Sequence, residues 1–176
     1  RSWTLLVNGL RAGEPVRVVR EDPARRGLLY AGTETGLYFS LDHGARWTAF
    51  DSLPRVPVTD LEARHGDLIV ATEGRAFWIL DDVGPLVQHA ADVASVRAHL
   101  YAPAPAVLSP GGGGFGGGGQ GRVGRNPPAG VSIPVYLAEA DSATALTLEI
   151  LDSRGELVRT YRSGRAASNR EIGRAH

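Results

Sequence analysis

An all-β fold is what this sequence predicts, and three observations carry the prediction. Short runs of β-branched, aromatic and aliphatic residues recur between clusters of Gly, Pro, Asp and Ser, the pattern of strands separated by turns. The runs repeat, since Trp3-Thr4-Leu5-Leu6 is matched 44 residues later by Trp47-Thr48-Ala49-Phe50. Between them, Ser40-Leu41-Asp42-His43-Gly44-Ala45-Arg46-Trp47 reads as a tight turn joining two strands. An Asp side chain accepts hydrogen bonds from amides two residues on, Gly supplies positive φ, and a Trp is large enough to anchor the turn to a neighbour.

In chain order, Val16–Val19 is the first expected strand and Glu21-Asp22-Pro23 the turn that ends it. Leu28–Gly32 reads as a buried strand, Gly36–Ser40 as its hairpin partner and Trp47–Phe50 as the strand closing the next hairpin. Val58–Ala63 alternates, Leu68–Thr72 is nearly continuous and Ala76–Leu80 is apolar throughout. Val16-Arg17-Val18-Val19 aligns with Val58-Thr59-Asp60-Leu61, and Leu28–Thr33 with Asp67–Thr72. Four short strands at a period near 44 suit one blade of a β-propeller. From Gln88 to His99 the spacing of Val93, Val96 and Leu100 allows a short helix or a connecting segment.

The Ser-x-Asp-x-Gly-x-x-Trp pattern resembles the Asp box of the BNR repeat, with Ser40, Asp42, Gly44 and Trp47 at the motif positions and Arg46 where a small hydroxyl residue is common. Gly74-Arg75-Ala76-Phe77-Trp78-Ile79-Leu80-Asp81-Asp82 resembles the segment that closes the propeller in bacterial sortilin-like repeat proteins, with Ala76 in place of Ser and Glu73 in place of His. The resemblance covers about residues 1–87. It implies the last one to two blades of a propeller, an Asp box that caps a hairpin away from any active site, and an extracytoplasmic location (secreted, periplasmic or cell surface).

All 19 basic residues are Arg, balanced by 19 acids, and neither Met nor Cys occurs. The balance gives no reason to expect nucleic acid or an anionic membrane as partner. The missing Cys excludes disulfides and thiolate metal sites, and no apolar run reaches the ~18 residues of a membrane span. The absent initiator Met suggests a piece of a longer protein, whose remaining blades would be partners of this one.

Nine of the 23 glycines lie between Gly111 and Gly121. With Pro103-Ala104-Pro105 before and Asn126-Pro127-Pro128 after, they mark a linker. They lack the Lys-Ser/Thr that a phosphate-binding loop needs. Residues 131–163 form a second strand-rich unit: Val131–Leu137 with Pro134 as an edge marker, the alternating Ala145–Leu151, a turn at Asp152–Gly155 and a return over Glu156–Tyr161. This unit resembles half of an immunoglobulin-like module. The expected organisation is therefore blades over 1–87, a connecting segment and linker over 88–130, a partial β-sandwich over 131–163 and a polar tail over 164–176.

The chemistry-bearing residues have structural readings beside functional ones. Asp60, Glu62 and Glu73 are candidates for a glycosidase-type carboxylate pair, which needs a separation of about 5–10 Å. Asp60, Glu73, Arg75 and Trp78 are also the residues expected to face a central channel. Phe77 and Trp78 suit either sugar stacking or packing between blades. Asp81-Asp82 suits a strand-ending turn better than a cation site, and the five His lack zinc-ligand spacing. No catalytic, cofactor or metal residue is therefore assigned. The reading is a non-catalytic binding or scaffold module with a protein or carbohydrate ligand; the alternative is a fragment of a propeller glycoside hydrolase.

Overall fold

A computed structural model describes residues 2–106, 130–139 and 145–163. The fold is mostly β, built of small antiparallel sheets, with no closed barrel among the described residues. The chain divides into two units, Arg1–His89 and Ala90–His176. Residues 107–129, which hold the glycine tract and most of the linker, and the polar tail over 164–176 lie outside the described residues.

The first unit holds two sheets. One has the order β1 (Val16–Glu21), β2 (Leu29–Thr33), β3 (Leu37–Ser40), β4 (Thr48–Ala49). The other runs β5 (Val58–Arg64), β6 (Asp67–Thr72), β7 (Phe77–Leu80). The expected strands are present with shifted ends. The largest trim is at β4, because the Trp47 amide donates to the Asn8 carbonyl (2.8 Å) instead of joining a ladder.

The two ladders share one register. Leu29↔Ser40, Tyr30↔Phe39, Ala31↔Tyr38 and Gly32↔Leu37 join β2 to β3; Leu68↔Leu80, Ile69↔Ile79, Val70↔Trp78 and Ala71↔Phe77 join β6 to β7. The inner pairs correspond too, including a bulge at the same place, between Val16 and Val18 on β1 and between Val58 and Asp60 on β5. The extra residue explains why Val58 and Leu61, three apart, are both buried on β5. The turn after the second central strand is one residue longer than that after the first, but both are closed by a Thr. The amides of Thr33 and Thr72 donate to the carbonyls of Gly36 (2.9 Å) and Ala76 (3.1 Å); the Thr72 hydroxyl donates to the same Ala76 oxygen, and the Thr33 hydroxyl lies 3.0 Å from that of Gly36.

Side chains from both sheets meet in one core: Val18, Leu28, Tyr30 and Leu37 from the first, Val58, Leu61, Leu68 and Val70 from the second, with Val83 beneath. Gly32 lies where they approach. A Cβ there would come within 2.5 Å of Val58 Cγ1 and 2.7 Å of Val18 Cγ1, so any side chain at this position would push the sheets apart. The Tyr30 hydroxyl is satisfied by Asp22 Oδ2 at 2.8 Å, and the other oxygen of Asp22 takes the Ala24 amide, also at 2.8 Å. Burial, then the neighbouring Asp22, pushes the Tyr30 hydroxyl well above the usual phenol range. Ala31, Tyr38 and Trp47 form a second cluster.

A short helix α1 (Gly84–Gln88) ends the first unit. It ends where the expected helical or connecting stretch, Gln88 to His99, begins, because Pro85 sits in its first turn, where a missing amide costs nothing. In the second unit, Val93–Ser95 forms a single 3-10 turn and Ala98–Leu100 is strand β8, paired with β9 (Val135–Leu137). The apolar spacing of Val93, Val96 and Leu100 is thus divided between a turn and a strand, and the segment expected to be a connection supplies one strand of a pair. Pro134 has no amide, so β9 begins after it, while its carbonyl accepts the Tyr101 amide at 3.1 Å. The hairpin β10 (Thr147–Leu151) and β11 (Leu157–Arg162) turns at Asp152–Gly155, as expected.

Candidate functional site

The hairpin between β3 and β4 is held by its own polar side chains. Ser40 is buried, and its hydroxyl donates to Asp42 Oδ1 (2.8 Å) while accepting the Gly44 amide (2.9 Å). Asp42 Oδ1 also accepts the Arg46 amide at 2.9 Å. His43 (φ 60°) and Gly44 (φ 85°) both take left-handed backbone, which is why Gly suits the second position. Trp47 is only 6% exposed, and its indole N–H donates to the Leu6 carbonyl at 3.0 Å. All four motif residues thus share one turn and serve its geometry. Burial pushes the Asp42 carboxyl up, but hydrogen bonds led by those from the Arg46 amide and the Ser40 hydroxyl outweigh it and hold the group below its ordinary range. Asp42→Ala is expected to lower the melting temperature by an amount equivalent to about 1–2 kcal/mol. Asp42→Asn, which keeps one acceptor, should recover part of the loss in the same calorimetric measurement.

Asp152 repeats this chemistry in the second unit. Its Oδ1 accepts the Arg154 (2.8 Å) and Glu156 (2.9 Å) amides. Those backbone hydrogen bonds, the one from Glu156 first, hold its carboxyl below the ordinary range.

The residues expected to face a channel are placed differently from one another. Asp60 on β5 meets Arg20 of β1, Oδ1 to Nη2, at 2.7 Å. Glu73 meets Arg17 of β1 at 3.4 Å, and Arg17 also pairs with Glu34 at 2.7 Å. Asp60 and Glu73 are therefore each tied to an arginine of the other sheet; Glu62 is near Arg64 at 3.9 Å. Arg75 is exposed, and its carbonyl accepts the Trp78 indole N–H at 3.1 Å. Phe77 (74% exposed) and Trp78 (38% exposed) sit on the outer edge of the second sheet and are not packed inside it. Asp82 accepts the Gly84 amide at 3.1 Å, which is the role of a turn residue. Among the described residues, no cluster of His, Asp and Glu is arranged to hold a metal.

Glu14 is the residue that sequence reasoning missed. Its Oε1 accepts the Thr33 hydroxyl (2.5 Å), the Thr35 amide (2.8 Å) and the Thr35 hydroxyl, and its Oε2 accepts the Tyr38 hydroxyl at 3.2 Å. Burial would raise its carboxyl, but the hydrogen bonds, led by that of Thr33, outweigh it and hold it below the usual range. Burial, followed by the charge of Glu14, pushes the Tyr38 hydroxyl up. Glu14 thereby pins the β2–β3 turn, at the opposite end of β3 from the β3–β4 hairpin. Beside it opens a cleft of about 450 Å³ lined by Arg11, Thr35, Tyr38, Phe50, Asp51 and Arg55. The only signal in the sequence is an acid just before a Pro and a strand, with its partners 19 to 24 residues away.

No family model, curated protein or solved structure matches the chain. What the site can do rests on its own geometry. The carboxylates that would carry acid–base chemistry are engaged with arginines or with turn donors. The cleft offers guanidinium groups, hydroxyls and an aromatic ring, which suit binding.

Proposed function

We propose that the first unit is the last one to two blades of a BNR-type β-propeller, followed by a linker and part of an immunoglobulin-like sandwich. The chain then acts as a non-catalytic binding or scaffold module of an exported, sortilin-like protein. The observation that carries this reading is the shared register of the two sheets, bulge included, with an Asp-box hairpin on the outer strand of the first. Adjacent blades of a propeller are such sheets, packed face to face. The arginine partners of Asp60 and Glu73 support the scaffold over the hydrolase, since they place those side chains as ties between sheets. The extracytoplasmic location rests on the resemblance of residues 1–87 alone, and the ligand, protein or carbohydrate, would meet the face that carries the Arg11–Arg55 cleft.

Incubation with a panel of aryl glycosides tests this. The expected result is no turnover above buffer. Hydrolysis that disappears in Asp60→Asn or Glu73→Gln would overturn the scaffold reading in favour of the hydrolase.

A further inference from the structure

Among the described residues, the first sheet ends in β4 and the second has no counterpart to it. β7 corresponds to β3 pair for pair, yet its outer edge carries no strand among the described residues. On β3 that edge is used: Tyr38↔Ala49 and Phe39↔Thr48 are paired, and the Phe50 amide donates to the Leu37 carbonyl at 2.9 Å. By the shared register, Phe77 and Ile79 direct their backbone groups to the open edge of β7. The side chains there are apolar and uncovered, with Phe77 74% and Ile79 59% exposed. An open apolar edge of this kind is a template for another strand.

The chain also holds a segment with the composition of β4 and no strand partner. Trp3-Thr4-Leu5-Leu6 matches Trp47-Thr48-Ala49-Phe50, the stretch that contains β4. In the fold, residues 3–6 are not in a strand, and Trp3 (98% exposed) and Leu5 (83% exposed) are in solvent. The segment is held at its far end, where the Leu6 carbonyl accepts the Trp47 indole N–H and the Asn8 carbonyl accepts the Trp47 amide. It is thus fixed beside the first sheet and presented outward.

We propose that residues 3–6 of one copy add as a fourth strand to the β7 edge of a second copy, with Thr4 opposite Ile79 and Leu5 opposite Trp78. The contact joins two different surfaces. A pair therefore keeps one free edge, on the copy that gave its segment, and one free segment, on the other, and association continues head to tail. The inference stands on strand register and exposure and does not require the propeller reading.

Sedimentation velocity of the 176-residue protein, from low to high micromolar concentration, tests it. Self-association rising with concentration is expected. Leu5→Glu places a charge on a side chain that is 83% exposed, and Ile79→Pro removes the outward amide of β7. Each should weaken association at least about tenfold. An equimolar mixture of the two variants should form pairs and stop there, because one retains an intact edge and the other an intact segment. Should Ile79→Pro fail to fold, Ile79→Lys takes its place in the same mixture. A parent that stays monomeric, a Leu5→Glu variant that associates like the parent, or a mixture that forms no pairs would each overturn the proposal.

Discussion

Leu68→Ala is expected to remove about 2–5 kcal/mol of stability from the first unit. Leu68 is fully buried where the two sheets meet, in contact with the cluster that includes Leu28, Tyr30 and Val58. The cost has two parts, the lost transfer of the side chain out of water and the cavity left behind, which stiff Val neighbours close poorly. Domains are stable by only about 5–15 kcal/mol, so one such change takes a large share. Urea unfolding followed by circular dichroism should show a lower midpoint at unchanged slope. Val158→Ala on the exposed face of β11 is the control and should fall within about 0.5 kcal/mol of the parent. A Leu68→Ala loss below about 1 kcal/mol would mean that the sheets do not form a common core.

Glu14→Ala is expected to cost about 1–3 kcal/mol, because it strips the acceptor from the Thr35 amide and hydroxyl and from Tyr38 at once. The Thr33 hydroxyl is partly rescued, since the Gly36 carbonyl lies 3.0 Å away. The effect has a pH signature. The Glu14 carboxyl is held below its ordinary value of about 4.3 in the folded protein. Its contribution is therefore complete above that value and is lost as pH falls through the lower, folded one. Asp42 and Asp152 are shifted in the same direction, so they add acid lability of the same sign. Melting temperatures recorded from neutral pH downward should fall more steeply for the parent than for Glu14→Gln. Parallel curves would show that Glu14 carries no charge-dependent stabilisation.

The hairpin between β3 and β4 was legible because it is local. Ser40, Asp42, Gly44 and Trp47 span eight positions, and each residue type has one job in a turn of that length. The strands were legible for a similar reason, since Leu28–Thr33 and Leu68–Thr72 are apolar runs bounded by turn residues. The bulges were not, because an inserted residue leaves no mark in composition and appears only as a phase slip between Val58 and Leu61. Glu14 was not either, because its partners are brought to it by the β1–β2–β3 topology. The pairing of Ala98–Leu100 with Val135–Leu137 was hidden by distance along the chain, with the glycine tract between. The short helix was misplaced because periodicity over Val93, Val96 and Leu100 competes poorly with the start signal at Pro85.

The Trp47 anchor has an optical consequence. The chain contains three tryptophans, all in the first unit, and two of them are in contact with solvent, Trp3 at 98% and Trp78 at 38% exposure. Trp47 alone is enclosed, with its indole N–H bound to a carbonyl 41 positions earlier. The shift of emission to longer wavelength on unfolding therefore comes mainly from this one ring. It marks the moment when the segment around Leu6 and Asn8 lets go of the hairpin, a long-range closure made of few bonds. Fluorescence will thus follow the release of that clasp, while the backbone signal follows the sheets.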